Sequence, residues 1–443
     1  MATDEFIDEA PADDEQAQPG EAGDHRFGRA LCLSGGGYRA AIFHLGALLR
    51  LHQLGKLRQL DLISSVSGGS IASAWLVACF LRQRTSAAET FPEWCDRIEF
   101  QSAVVEPFRK VVGRDIRTLP VLLTLPWNWL WPSSRVNLLR KAYERLFGDL
   151  KLQDLPESPR FVFCATNLTF GVNWEFSRRR TGDFQSGYVR DHGRISLALA
   201  VAASSCFPPL FGPVRFPARA GDFIRGGYRG FDGDRLRDRV ELSDGGVYDN
   251  MGMEPAIKSC REILVSDAGA PFAFVAGQHY FRRLLRYAGV IGNQAVALRK
   301  RLFFGGRAAG EFDGSYWNLT DRRDAGAAGY SLGLCAELMG KIRTDLDRFT
   351  PAEFSVLVNH GYFSCEDGVA GSRAIAPRMD ARASGGSGAI APRVDAQVSR
   401  GSGAIAAEAA PTWPFPEYSG EERVRGVLRR SGRRFFHGRW WQN

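Results

Sequence analysis

Apolar and polar positions over residues 27–83 alternate between two regimes. Arg29-Ala30-Leu31-Cys32-Leu33 is a short, nearly continuous apolar run, as expected of a buried strand, and residues 41–49 form a longer one that suits a buried helix. The pair then repeats, with a β-prone run over 60–66 and a helical run over 69–82. Strand, helix, strand, helix predicts an α/β fold with a mostly parallel sheet wrapped by helices, and ligands in such sheets bind at loops after strand ends.

Downstream, the pattern over 84–150 is mostly helical. It is broken by a stretch from Leu119 to Pro132 that holds three tryptophans between two prolines and so cannot be a regular helix interior. Strands are expected over 161–167 and 173–177, joined as a hairpin through Gly171. A small-residue helix follows over 194–205, and an exposed loop rich in Gly, Arg and Asp over 218–238. Further strands are expected over 240–244 and 261–267, the first followed by a helix from about Asn250, with Asp249 or Asn250 as its cap. A basic helix covers 279–301. Thr350-Pro351-Ala352-Glu353 has the capping box and first-turn proline of a helix start.

Composition adds the flanks. Residues 1–26 hold nine acidic residues against one basic, with little apolar content, and are expected to be a disordered acidic arm. The folded domain is expected over 27–368. Residues 369–420 read as a linker of low complexity, in which Ala-Ile-Ala recurs at 374, 389 and 404. Residues 421–443 carry seven arginines with Phe435, Phe436, Trp440 and Trp441, an arginine-rich tail. An exposed tail is the plain expectation for it. An anionic membrane surface is the functional one, with nucleic acid as the competing partner. The 443 residues carry a net charge of +8, which is compatible with any of these and decides nothing about the fold. The eight cysteines are scattered with no C-x-x-C pair, so buried free thiols are expected rather than a disulfide or zinc framework. The acidic start offers neither a basic nor an apolar segment of a signal peptide, and a cytoplasmic location is expected.

Three stretches carry chemistry. Ser34-Gly35-Gly36-Gly37-Tyr38-Arg39 lies between a strand and a helix, where backbone N–H groups converge on one spot and favour an anion. It has neither the lysine of a P-loop nor the glycine spacing of a dinucleotide site. Ser65-Val66-Ser67-Gly68-Gly69 places Ser67 on the next strand-to-helix turn, a candidate nucleophile. Val240-Glu241-Leu242-Ser243-Asp244-Gly245-Gly246 projects Asp244 from a strand end. A turn aspartate is the bland alternative there, as an ordinary surface arginine is for Arg39.

Taken together and in this order, the stretches resemble the patatin-like phospholipase family over roughly residues 27–368. Gly35-Gly36-Gly37-Tyr38-Arg39 is similar to its oxyanion loop, Ser67 to its nucleophile and Asp244-Gly245-Gly246 to its aspartate box. Ala203-Ser204-Ser205-Cys206-Phe207-Pro208-Pro209 is similar to its Ala-Ser-x-x-Phe-Pro stretch. Ser65 and Ala40 stand where the family has glycine. The resemblance implies a three-layer α/β/α fold and a hydrolase that cleaves ester bonds of membrane phospholipid or lysophospholipid. Ser67 and Asp244 would form the dyad, with Gly35, Gly36, Gly37, Arg39 and Gly68 around the oxyanion. It implies no metal and no cofactor. Trp127, Trp129, Trp131, Leu122 and Leu123 are candidates for substrate or membrane contact. Two other readings stay open: a lipid-binding scaffold that lost turnover, and a Ser-His-Asp esterase with His360 or His192 as base.

Overall fold

The computed structural model describes residues 28–115, 134–208, 211–224, 226–272, 280–320, 328–373 and 410–431. Among these, eleven strands form one sheet. They are β1 (Arg29–Leu33), β2 (Leu62–Val66), β3 (Arg160–Asn167), β4 (Val172–Ser177), β5 (Thr181–Asp183), β6 (Gly187–Val189), β7 (Val214–Arg215), β8 (Phe223–Ile224), β9 (Glu241–Asp244), β10 (Glu262–Asp267) and β11 (Asp313–Asn318). The order β11-β10-β1-β2-β3 is parallel throughout, and β4, β5, β6 and β8 continue it antiparallel.

The parallel centre follows from composition. Every residue of β2 is buried, and a strand covered on both faces needs an unbroken apolar or small-residue run. Leu31, Leu33, Ile63, Phe161 and Phe163 join one core, together with α1 (Gly37–Gln53), α2 (Gly68–Gln83) and the helix Pro351–Arg373. Ala30, Cys32, Leu62, Val66, Val162 and Val265 join the other, with Met251, Met253, Phe303 and Phe312. The result is the three-layer α/β/α arrangement. α1 crosses the helix Pro351–Arg373 at near contact. A Cβ on Gly46 would strike the Val358 carbonyl, and one on Gly361 the Phe43 carbonyl. All eight cysteines are buried and free. No helix among the described residues is long and apolar enough to cross a membrane.

Several expectations need correction. The stretch 218–238 is not simply an exposed loop. It supplies β8, which pairs with β6 at the far edge of the sheet, and the short helix Gly233–Arg237. β11 (Asp-Gly-Ser-Tyr-Trp-Asn) is a strand beyond those expected from the sequence. The fold also does not end near residue 368. The helix begun at Thr350 runs to Arg373, and residues 410–431 return to pack on it. Phe415, Val424, Val427 and Leu428 are buried there, Phe363 meets the Trp413 ring at 4.5 Å, and Asn359 bonds both the amide and the carbonyl of Phe415 at 2.9 Å. The helix Glu421–Ser431 is therefore part of the domain and not a free tail. Its apolar stripe (424, 427, 428) is narrow and hidden among arginines, of which Arg425 pairs with Glu337 at 2.8 Å. The acidic arm, residues 374–409 of the linker, residues 432–443 and the tryptophan stretch with Leu122, Leu123, Trp127, Trp129 and Trp131 lie outside the described residues.

Candidate active site

The glycine loop leaves β1 and turns into α1. Gly36 (φ 139°) and Gly37 (φ 60°) adopt backbone angles that a side chain disfavours, and a Cβ on Gly37 would run into the Thr344 carbonyl. Backbone donors can be accounted for one by one. Gly35 N–H is used by the Asn250 carbonyl at 2.9 Å, and Tyr38 N–H by the Asp345 carbonyl at 3.2 Å. The N–H groups of Gly36, Gly37 and Gly68 have no acceptor within the described protein. Gly35 is thus not an oxyanion donor; its amide serves to hold the loop.

Ser67 follows β2 directly and starts α2. Its φ of 51° and ψ of −114° make it the one non-glycine residue with positive φ among those described. Such a conformation costs on the order of 1–3 kcal/mol and needs its surroundings to hold it. They are a set of serines. Ser67 N–H donates to Ser204 Oγ at 3.0 Å, and Ser204 Oγ donates to the Cys164 carbonyl at 2.6 Å. With the Ser204 proton committed to that carbonyl, Ser70 Oγ donates to Ser204 Oγ at 2.8 Å and stands 3.2 Å from Ser65 Oγ, which donates to the Val162 carbonyl. Ser65, one of the two departures from the family pattern, is therefore bonded into the turn rather than spoiling it.

Register brings Asp244 to Ser67. β2 pairs with β3 up to Val66↔Cys164, where it ends in Ser67. β4 occupies the other edge of β3 along its whole upper half. β9 takes the edge that β2 vacates, and its last residue, Asp244, pairs with Ala165, one step beyond Cys164. The Ser204 carbonyl accepts from Gly245 N–H at 3.2 Å, so one serine ties both turns together.

Asp244 is 2% exposed and Ser67 7%. Asp244 Oδ1 accepts from Gly246 N–H at 2.7 Å, while the buried Oδ2 has no partner in good hydrogen-bond geometry. Burial pushes the carboxyl up to about 6, opposed by the Gly246 amide and by the nearby Ser67 hydroxyl, which favours the charged form.

Arg39 is corrected. It is neither a surface residue nor part of the oxyanion site. Its guanidinium is fully buried and donates to the carbonyls of Ala268 (2.8 Å), Ile342 (2.8 Å) and Gly340 (3.4 Å). Burial lowers its pKa to about 10, with Asp267 opposing. It clamps two outer loops onto the glycine turn.

The histidines are engaged elsewhere. His44 bonds the Ser34 carbonyl and Ser266 Oγ, both at 2.9 Å, and burial lowers it to about 4 against the Ser34 bond and Asp267. Since a carbonyl only accepts, Nε2 carries the proton and Nδ1 accepts from Ser266. His360 faces the Leu319 carbonyl and Cys335, and His192 the carbonyls of Val189 and Arg178. No described histidine is bonded to Ser67 or Asp244.

Two residues near the pair have roles that the sequence does not reveal: Ser204 reads there only as part of its motif, and Asn250 only as a candidate helix cap. The Asn250 side chain fills the space that a Cβ on Gly35 or Gly246 would need, and its carbonyl takes the Gly35 amide. Neither role has a local signal, since Ser204 holds Ser67 and Asn250 holds Gly35, both far away in the chain. Of the two cap candidates, Asp249 is the one whose carboxylate accepts the amides of Met251, Met253 and Glu254.

A strained serine at a strand-to-helix turn, a buried carboxyl at the end of a strand on the same edge of β3 and glycine amides without a protein acceptor lie in one α/β fold. The patatin-like phospholipase family model matches residues 31–257, just over half of the chain and all three stretches, and the chain belongs to that family. No curated protein matches the chain in sequence. Among solved structures, human GIVD cytosolic phospholipase A2 is similar at 13% identity and a TM-score of 0.48, over 79% of this chain and 60% of that one. VipD from Legionella pneumophila is similar at 15% identity and a TM-score of 0.33, over 79% and 67%. The chain thus spans about three fifths of the human enzyme's length.

Proposed function

We propose that the protein hydrolyses carboxylic ester bonds of membrane phospholipid or lysophospholipid through a Ser67–Asp244 dyad. The observation that carries this is the register of β3, in which Val66, the residue before Ser67, and the buried Asp244 pair with successive positions of one edge. Above pH 6 Asp244 is ionised and accepts the Ser67 proton as Oγ attacks the ester carbonyl carbon. The oxyanion forms beside the N–H groups of Gly36, Gly37 and Gly68, where each donor is worth roughly 10²–10³ in rate. The ester C–O bond breaks, Asp244 returns the proton to the leaving alcohol, and an acyl-serine remains. Water then attacks it, giving a proton to Asp244, which passes it to Ser67 Oγ as the fatty acid leaves.

A lipid panel with mass-spectrometric products tests the reading, run beside labelling by a fluorophosphonate probe. Wild type is expected to be labelled and to release fatty acid, and Ser67→Ala to do neither. A Ser67→Ala enzyme that still hydrolyses lipid overturns the assignment.

A further inference from the structure

The helix Tyr280–Ala309 carries more apolar surface into solvent than any fold needs. Of the exposed large apolar side chains among the described residues, half stand on this one helix: Tyr287, Val290, Ile291, Leu298, Leu302 and Phe304. Ile291 is 71% exposed, and Tyr287 and Leu298 are each 58%. At about 100° per residue, Tyr287, Ile291, Leu298 and Leu302 fall within a sector of about 60°, and Val290 lies about 60° outside it. Phe304 lies off it.

The helix's attachments show where that stripe lies. Phe303 is buried against Phe312 and Tyr316 at 5.7 and 6.1 Å, and Arg307 pairs with Asp313 at the start of β11. One to two turns earlier, Lys300 pairs at 3.2 Å with Asp267, the last residue of β10. Arg299 pairs with Glu254 at 2.6 Å and lies over the Tyr248 ring, four residues after Asp244. Residues 300–309 therefore run down the sheet from the C-terminal ends of the strands. Residues 280–298, about 28 Å of helix, continue past those ends, the side on which Ser67 and Asp244 stand. Val247, in the turn after Asp244, is exposed on the same side.

Charge selects the occupant. The helix sequence carries seven basic residues (282, 283, 286, 299, 300, 301 and 307) and no acidic one. Arg283 and Arg301, both exposed, border the apolar sector on one side. A second copy of the same helix would bring like charges together. The chain's acidic arm has the right sign but too few apolar residues to cover the stripe. An anionic phospholipid surface supplies both complements.

We propose that this stripe docks the protein on anionic bilayers and so presents lipid to the Ser67 site. The choice of a lipid partner rests on the hydrolase reading above; the stripe and its charge do not.

The test uses the full chain and vesicles of phosphatidylcholine, with and without phosphatidylglycerol, in a flotation assay. Turnover of a soluble short-chain ester is measured in parallel. Wild type is expected to float with the anionic vesicles, less so as salt rises. Ile291→Glu/Leu298→Glu is expected to bind them on the order of a hundredfold more weakly, with soluble-ester turnover and melting temperature unchanged. Equal vesicle binding by the variant overturns the proposal, as does a wild type that does not float. A dimer that the double substitution splits, seen by light scattering, assigns the stripe to a second copy and also overturns it. If wild type floats but turns over no ester, the hydrolase reading fails while the docking surface stands.

Discussion

Asp244 is a carboxyl kept where its charge is costly. Its pKa is about 6 in the fold against about 4 in the unfolded chain, so the folded state binds its proton more tightly. Stability from this group is fully present below pH 4 and is lost as the pH rises through 6. On the proposed dyad, activity runs the other way, since only the carboxylate accepts a proton. Two outcomes follow. kcat/KM on a soluble ester is expected to fall about tenfold per unit as the pH drops below 6. Asp244→Asn is expected to abolish turnover yet melt higher than wild type at pH 8, the gap closing as the pH falls below 4. A variant that melts lower at pH 8 contradicts a buried charge at this position.

At the scale of elements, the glycine loop is held from outside. The loop after Gly340 gives its carbonyls at 340 and 342 to Arg39 and at 345 to Tyr38 N–H. That loop is closed on itself by Arg343, which bonds Asp347 and Glu353 at 2.6 Å, the Arg348 carbonyl at 2.6 Å and Ser431 at 2.9 Å, and lies over the Phe349 ring. Burial pushes the Glu353 carboxyl up, but the Arg343 bond and charge outweigh it and hold it at about 2. Glu353 also caps the helix Pro351–Arg373 through Thr350. Arg343→Met strands that carboxylate and is expected to cost about 3–5 kcal/mol in denaturant unfolding. It also loosens the glycine loop, so on the proposed mechanism kcat on a soluble ester is expected to drop by roughly 10²-fold with a smaller change in KM. Arg343→Lys, which keeps the charge, recovers part of both. Unchanged kcat in Arg343→Met would mean that the loop does not govern the donors.

For the whole molecule, the consequence is that the last described segment supports the first. Ser431, on the C-terminal helix, touches Arg343, and Phe415 and Leu428 fill the surface beside the helix Pro351–Arg373. Each such buried side chain is worth about 1.5–3 kcal/mol, a large share of a domain's net 5–15 kcal/mol. A chain stopped at Ala409 is expected to melt many degrees below full length, measured by calorimetry. Equal melting temperatures would show that the segment adds nothing.

What was legible depended on distance along the chain. The strand–loop–helix units around Gly36 and Ser67, the hairpin at Gly171 and the capped start at Thr350 are short-range events written in local residue types. Arg39 could not be placed that way, because the carbonyls it holds come from residues 268, 340 and 342. Nor could the docking of Glu421–Ser431, whose contact surface is built by residues 330–363. Local residue types alone determined which side chains and amides in this protein are candidates for chemistry. Which of them meet was decided by the sheet, where β9 fills the edge of β3 that β2 leaves, and strand pairing between segments some 80 residues apart is a contest that no short stretch of chain records.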